Sequence, residues 1–368
     1  TPAGVAHFLE HKMFDTKDGN ALQDLAANGA SPNAFTSTDI TGYYFESTEK
    51  FEENLKILLS FVSVPYFTPE SVAKEQGIIG QEIRMVEDDP QNQVFYGMLE
   101  ALYAHNPVRV SIAGTVESIA EITADTLYAC HAAFYNPGNM TLCVCGNVDP
   151  ERVREIALEV LPKEGITDIP RDYGEPEAQG AFRPETVQSM AVSTPIFQLG
   201  WKANPAPRGE EHLRRQFLGE LACEAVFGTS TPLYARLYSQ GLVNQSFSYG
   251  YEAYPQCAML TVGGESRDPR AVRQAIADEV ARIGREGLDP ALFGRIKKGV
   301  YGARVRALNS FENICVGLAQ SHFAGEELFR FPEVFAGIGK ADVEDVIRRW
   351  MTPERTGLSI VFPKEEQA

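Results

Sequence analysis

Basic residues are in short supply in this 368-residue chain: 33 Lys and Arg stand against 50 Asp and Glu, a formal net charge of −17. That balance excludes a nucleic-acid partner, because no basic stripe could offset phosphate repulsion. Long apolar runs are missing as well. None approaches the ~20 residues of a membrane-spanning helix, so no membrane partner is expected. Only six cysteines occur, Cys130, Cys143, Cys145, Cys223, Cys257 and Cys315, and their spacing fits no disulfide scaffold. They read as free core thiols in a reducing, cytoplasmic setting. A Cys143/Cys145/His131 metal site is the sharper alternative, with a spacing that matches no common zinc pattern. The chain also opens without an initiator Met, so a segment ahead of Thr1 is expected, and the lack of a signal peptide is not evidence about targeting.

Histidine is scarce too, with six in the chain, yet two of them stand together in His7-Phe8-Leu9-Glu10-His11. On a helix, residues three and four apart share a face, so His7, Glu10 and His11 point the same way. Two imidazoles one turn apart can hold a zinc ion, and a carboxylate beside them can take a proton from water on it. Val5, Phe8, Leu9 and Met13 fall on other faces, as in a helix that packs one side, and Pro2 suits its first turn. This is the H-x-x-E-H arrangement, the inverse of H-E-x-x-H. A chance match has odds on the order of one in a hundred; the bland alternative is a surface helix with solvated His and Glu. His105, His131, His212 and His322 have no partner at ligand spacing and read as surface or satisfied core histidines.

A zinc site needs a third protein ligand. The helix expected from Glu70 to about Val86 carries Glu75 and Glu82, which share one face because seven residues make nearly two turns. Glu87 lies in the same region, so all three carboxylates are candidates. Helices are also expected at 21–27, 50–62, 91–103, 124–135 and 150–160. Strands are expected within Ser31 to Glu46, from Met140 to Cys145, from Gln188 to Trp201 and from Leu358 to Phe362. The length calls for two domains, divided as 1–165, a Pro- and Gly-rich linker at 166–185, and 186–368.

The second half repeats the first in weakened form. Lys74 to Glu82 parallels Ile296 to Arg304, which sets Lys297 and Arg304 opposite Glu75 and Glu82. The opening helix corresponds to Glu220 through Phe227, with Glu220 and Glu224 where His7 and His11 stand. Two cations in place of two carboxylates confine the metal site to the first domain.

On these residues the chain resembles the M16 (pitrilysin, insulinase, mitochondrial processing peptidase) zinc peptidases, which join H-x-x-E-H to glutamates seven residues apart on one helix. The resemblance implies His7, His11 and Glu82 as Zn2+ ligands, Glu10 as general base and Glu75 as a group orienting a ligand. It implies an α+β fold of two homologous domains, each a mostly antiparallel sheet covered by helices, facing each other as a clamshell, the second degenerate. Family members begin with strands ahead of the motif, and those are missing here. Ser31-Pro32-Asn33-Ala34-Phe35-Thr36 matches the family's edge strand for extended peptide substrate, with Asn33, Ala34 and Phe35 at its centre; the plainer alternative is an ordinary strand with a Pro-Asn turn. A homodimer or a heterodimer with an M16 paralogue is implied as well. Glu10-His11-Lys12-Met13-Phe14 and Gly241-Leu242-Val243-Asn244 resemble a bacterial subgroup associated with aminopentanol modification of elongation factor P.

The activity implied is a zinc metallo-endopeptidase acting on peptides or small unfolded segments. One departure supports an alternative, a non-catalytic scaffold or assembly subunit. Where many family peptidases carry a substrate-binding Arg and Tyr, this chain has Ser239 and Asn244 or Gln245.

Overall fold

The computed structural model describes residues 1–163, 165 and 169–364, and the chain divides into two compact units. The first comprises Thr1–Met85, Val110–Asp172 and Ser310–Gln320; the second comprises Val86–Arg109, Tyr173–Asn309 and Ser321–Ala368. These units do not follow a cut at 165 and 186. Val86–Arg109 belongs with the second unit and Ser310–Gln320 with the first. Nor is the Pro- and Gly-rich stretch a free tether from Tyr173 onward. Its backbone bonds into the second unit, Ala181 N–H to Glu354 O, Phe182 N–H to Leu102 O and Arg183 N–H to Ala101 O. Residues 166–168 of the expected linker lie outside the described residues.

In the first unit the chain runs α1 (Val5–Met13), β1 (Asp15–Thr16), β2 (Gly19–Asn20), α2 (Ala21–Ala27), β3 (Ser31–Thr36), β4 (Thr41–Glu46), α3 (Phe51–Ser63) and α4 (Pro69–Asp88). After α5 (Pro90–Leu102), which packs in the second unit, come α6 (Val116–Ala120), α7 (Ala124–Phe134) and α8 (Pro150–Val160). The core is built where the apolar stripes of these helices meet: Phe8, Leu9 and Met13 of α1, Phe61 and Val62 of α3, Ile79 and Ile83 of α4, and Leu127 of α7. One face of the β3–β4 hairpin, through Ala34, Tyr43 and Phe45, packs on the same core.

The second unit contains β5 (Glu185–Met190), β6 (Ile196–Ala203), α9 (Glu210–Phe227), α10 (Pro232–Ser239), β7 (Ser248–Tyr254), β8 (Cys257–Glu265), α11 (Pro269–Glu286) and α12 (Pro290–Ala307). It closes with α13 (Phe311–Ala324), whose start belongs to the first unit, then α14 (Phe331–Ala336), α15 (Lys340–Trp350) and β9 (Thr356–Pro363). Its five strands lie in the order β5-β9-β6-β8-β7, antiparallel except for the β5–β9 pair. Helices α9, α11 and α15 cover one face, and α5 packs on β9, β6 and β5. Gly97 of α5 makes that approach possible, since a Cβ there would meet Ser359 Oγ at 2.4 Å.

Three expectations are corrected. The stretch Gln188 to Trp201 is two strands, not one, broken around Ser193-Thr194-Pro195. Met140 to Cys145 forms no ladder: its counterpart β9 lies between β5 and β6, whereas no strand flanks 140–145 among the described residues. A strand exists only by sharing its N–H and C=O groups with a neighbour, so sequence pattern alone did not suffice. Helix α1 starts at Val5 behind Gly4, which is at φ 90°, and Pro2 stands ahead of it. Among the described residues, no helix is long and apolar enough to cross a membrane.

Candidate metal centre

Two glycines set where α1 begins. Gly4 and Gly114 both have positive φ, and each sits against the other's neighbour: a Cβ on Gly4 would meet Ala113 O at 2.4 Å, and one on Gly114 would meet Ala3 O at 2.4 Å. Ser118 Oγ donates to Ala3 O at 2.8 Å. Helix α4 is fixed by its buried Val72, Ile79 and Ile83 and by Gln76, whose Nε2 donates to Ile119 O and Ile122 O at 3.2 and 3.0 Å.

This framework brings His7, His11 and Glu82 together, their ligand atoms all within 4.8 Å of one another. The two rings lie 4.6 Å apart between centroids. Nε2 of His7 is 3.5 Å from Glu82 Oε1, and Nε2 of His11 is 3.6 Å from Glu82 Oε2. Donors at about 2.0–2.1 Å from one zinc at tetrahedral angles stand roughly 3.3–3.4 Å apart, so the three groups fit that ion. Among the described residues, no other trio of His, Cys, Asp or Glu meets in this way.

The outer ring of interactions prepares the imidazoles. His11 Nδ1 lies 3.1 Å from Glu75 Oε1, which places the proton on Nδ1 and leaves Nε2 facing Glu82. That hydrogen bond pulls the His11 pKa up, against burial. Burial pushes His7 down, against the pull of Glu82, so His7 stands as a neutral donor. Its Nδ1 is buried without a hydrogen-bond partner among the described residues. Glu87 is exposed and outside the cluster.

Glu10 lies on the same face of α1, and Thr36 Oγ1 donates to its Oε2 at 2.5 Å. Close by, the hydroxyls of Tyr43 and Tyr135 bond to each other at 2.8 Å. Burial pushes Tyr135 up to about 12, and the Glu10 charge adds to this. Lys12 is fully buried, bonded to Asp15 and 4.0 Å from Glu75 Oε2. Thr36 and Lys12 carry no spacing signal. Only the cross-chain packing of β3 and α4 on α1 exposes their partnership with the motif.

Asn33, Ala34 and Phe35 lie on β3, which pairs with β4 on one side; its other edge has no strand partner among the described residues. Asn33 Nδ2 donates to Tyr44 Oη at 2.8 Å, Ala34 packs in the core, and the Phe35 ring covers Gly42.

In the second unit the helices that the sequence repeat matches to α1 and α4 carry a different set. Arg304 of α12 pairs with Glu220 of α9, and Glu224 accepts from Tyr249 Oη at 2.5 Å. Lys297 donates to the carbonyls of Ala336 and Ile338 at 3.1 and 2.5 Å. Asn244 is engaged by Glu265 at 2.8 Å. His131 is buried with Nε2 2.9 Å from Val62 O, His212 pairs with Glu326, and none of the six cysteines is joined in a disulfide. The Cys143/Cys145/His131 alternative therefore does not assemble.

Residues 1–116 match the family model described as Insulinase (Peptidase family M16), and residues 121–300 match that of the Peptidase M16 inactive domain. The chain is 39% identical over 366 residues to the uncharacterized zinc protease YmfH of Bacillus subtilis, covering 99% of this chain and 85% of that protein. It is 25% identical over 390 residues to the uncharacterized zinc protease SCO5738 of Streptomyces coelicolor, covering 100% of this chain and 83% of that one. Among solved structures, an M16-like peptidase from Alicyclobacillus acidocaldarius matches with a TM-score of 0.93 at 30% identity, over 99% of this chain and 87% of that one. A protease from Helicobacter pylori shares the fold, with a TM-score of 0.86 at 18% identity over 98% and 89% of the two chains. Likeness over nearly the whole length thus joins the H-x-x-E-H helix and its glutamate-bearing partner, and the chain belongs to the M16 (insulinase) family of peptidases.

Proposed function

We propose that the protein is a zinc-dependent endopeptidase acting on peptides or small unfolded segments. His7, His11 and Glu82 would hold the ion, which when bound supplies a Lewis acid able to acidify a water and polarise a peptide carbonyl. Glu10 would accept the proton of the attacking water and return it to the leaving amine. Glu75 fixes the His11 ring, and the free edge of β3 offers Asn33, Ala34 and Phe35 to an extended peptide by backbone pairing. The observation that carries this reading is the pairing of both Nε2 atoms with the one carboxylate of Glu82, while Glu10 on the same helix face is held outside the trio by Thr36.

The test is metal analysis joined to cleavage of a fluorogenic peptide library. Wild-type protein should hold about one zinc per chain; Glu10→Gln should keep the zinc and lose cleavage. His7→Ala or Glu82→Gln retaining stoichiometric zinc would remove the ligand assignment. A scaffold role within a homodimer, or beside an M16 paralogue, is the second reading. It is favoured by Asn244, which stands near where many family peptidases carry substrate-binding Arg and Tyr, and which is engaged by Glu265. Biological function surviving in Glu10→Gln would select it. Six cysteines, none of them in a disulfide, support a reducing, cytoplasmic setting. The finer assignment to processing linked to elongation factor P modification rests on Glu10 to Phe14 and Gly241 to Asn244.

A further inference from the structure

We propose that Thr36 is the positioning residue of the base, fixing which oxygen of Glu10 accepts the proton. The inference rests on the peptidase reading of this site. An ionised carboxylate only accepts, so the 2.5 Å contact has the Thr36 hydroxyl donating to Glu10 Oε2. Among the described residues it is the one hydrogen-bond donor to that carboxylate. Oε2 is thereby held against β3, and Oε1, to which no donor is bonded among the described residues, is the less encumbered acceptor.

The hydroxyl is held by a rigid support. Thr36 is the last rung of the β3–β4 ladder, opposite Thr41, and the turn beyond it is closed by Ser37 N–H donating to Ile40 O at 2.8 Å. On the same strand face, Ala34, Tyr43 and Phe45 pack into the core that also buries Phe8 and Leu9 of α1. A β-branched residue has a stiff χ1, so neither its backbone nor its rotamer is free to release Glu10. None of the other site contacts involves Thr36. His7 and His11 face Glu82, and Glu75 faces His11 and Lys12. The metal trio and the base are therefore held by separate elements, α4 for the first and β3 for the second. Thr36 also follows directly on Asn33-Ala34-Phe35, so the strand edge proposed to pair with substrate and the device aligning the base are one element.

The test compares zinc-loaded wild type, Thr36→Val and Thr36→Ser on an internally quenched fluorescent peptide library, with zinc affinity measured by chelator competition. Val keeps the shape and strand preference but has no donor. Thr36→Val should bind zinc within about twofold of wild type and keep KM within about twofold. Its kcat should fall about 10- to 100-fold, the range expected from losing a hydrogen bond to a charged group. Thr36→Ser should recover most of kcat. Wild-type kcat in Thr36→Val overturns the inference while leaving the peptidase reading intact. Lost zinc, or a Thr36→Ser defect as large as that of Thr36→Val, overturns it in favour of a purely structural rung. A zinc-loaded wild type that cleaves no member of the library overturns both.

Discussion

Replacing Glu75 separates the metal trio from its outer support without touching a ligand. Glu75 Oε1 lies 3.1 Å from His11 Nδ1, and its Oε2 lies 4.0 Å from the buried Lys12 ammonium. In Glu75→Gln the amide oxygen can still accept from Nδ1–H, but the negative charge that makes Nε2 a stronger donor is gone. In Glu75→Ala both are gone, and the ring can rotate. Outer partners of this kind are typically worth about 10- to 100-fold in metal affinity, or ~1.4–2.8 kcal/mol. We expect Gln at the low end and Ala at the high end, measured by competition with a fluorescent zinc chelator at pH 8. The pH dependence gives an independent sign. Zinc must displace a proton from His11, and Glu75 raises the His11 pKa. Wild-type affinity therefore declines as pH falls through that raised value, and the decline in Glu75→Gln should begin at lower pH, so that the two curves converge in acid. Affinities equal to wild type in both variants, or curves that stay parallel, would refute the role given to Glu75.

Two further outcomes test the framework. Gly114→Ala places a Cβ 2.4 Å from Ala3 O at φ +75°, so about 2–4 kcal/mol of unfolding free energy should be lost in urea titration, from left-handed strain plus the clash. Zinc affinity should fall with it, because the start of α1 shifts; unchanged stability would contradict the interlocked turn. Glu177 tests the stretch taken from the sequence as a linker. Burial opposes its charge, yet Lys202 at 2.9 Å and the backbone N–H groups of His105 and Asn106 hold its carboxyl down to about 2. Its side chain is 12% exposed and that of Lys202 5%. A depressed carboxyl stabilises the fold above its unfolded value of about 4.3. Roughly 3 kcal/mol should therefore disappear as pH falls from there towards about 2. Glu177→Gln should lower the melting temperature at pH 7 and flatten the acid limb of the stability profile; an unchanged limb would show that the pair carries no such load.

The local elements were legible because their signals are local. Helix α2 occupies residues 21–27 as its polar flanks and Asn28-Gly29 stop predict, and Glu75 and Glu82 share a face of α4 by period alone. The trio His7, His11 and Glu82 was readable once the glutamate pair was matched to a family pattern. What stayed hidden depends on partners distant in the chain. Thr36 reaches Glu10 across 26 positions and Lys12 reaches Glu75 across 63, distances over which periodicity carries nothing. Helix α5 reads as an ordinary amphipathic segment, and nothing in it announces that its Met98, Leu99 and Leu102 pack with Cys257 and Met259 in the second unit. Residues 140–145 fail for the converse reason, since a strand pattern is only a promise of pairing.

Among the described residues a candidate metal trio assembles in one unit alone, and the side chains of the other suggest why. By the sequence repeat Glu220 and Glu224 of α9 are matched to His7 and His11 of α1, and two half-buried carboxylates there would be costly without a cation. Arg304, matched to Glu82 by the same repeat, supplies one permanently: its guanidinium pairs with Glu220, and Tyr249 Oη satisfies Glu224. Burial still pushes the Glu220 carboxyl up, against the pull of Arg304. In the first unit α1 and α4 present His7, its pKa lowered by burial, and Glu82, 38% exposed, with no Arg or Lys in contact with that carboxylate among the described residues. Covalently attached charge makes the second unit self-sufficient, whereas in the first His7, His11 and Glu82 form a trio that could hold a metal ion.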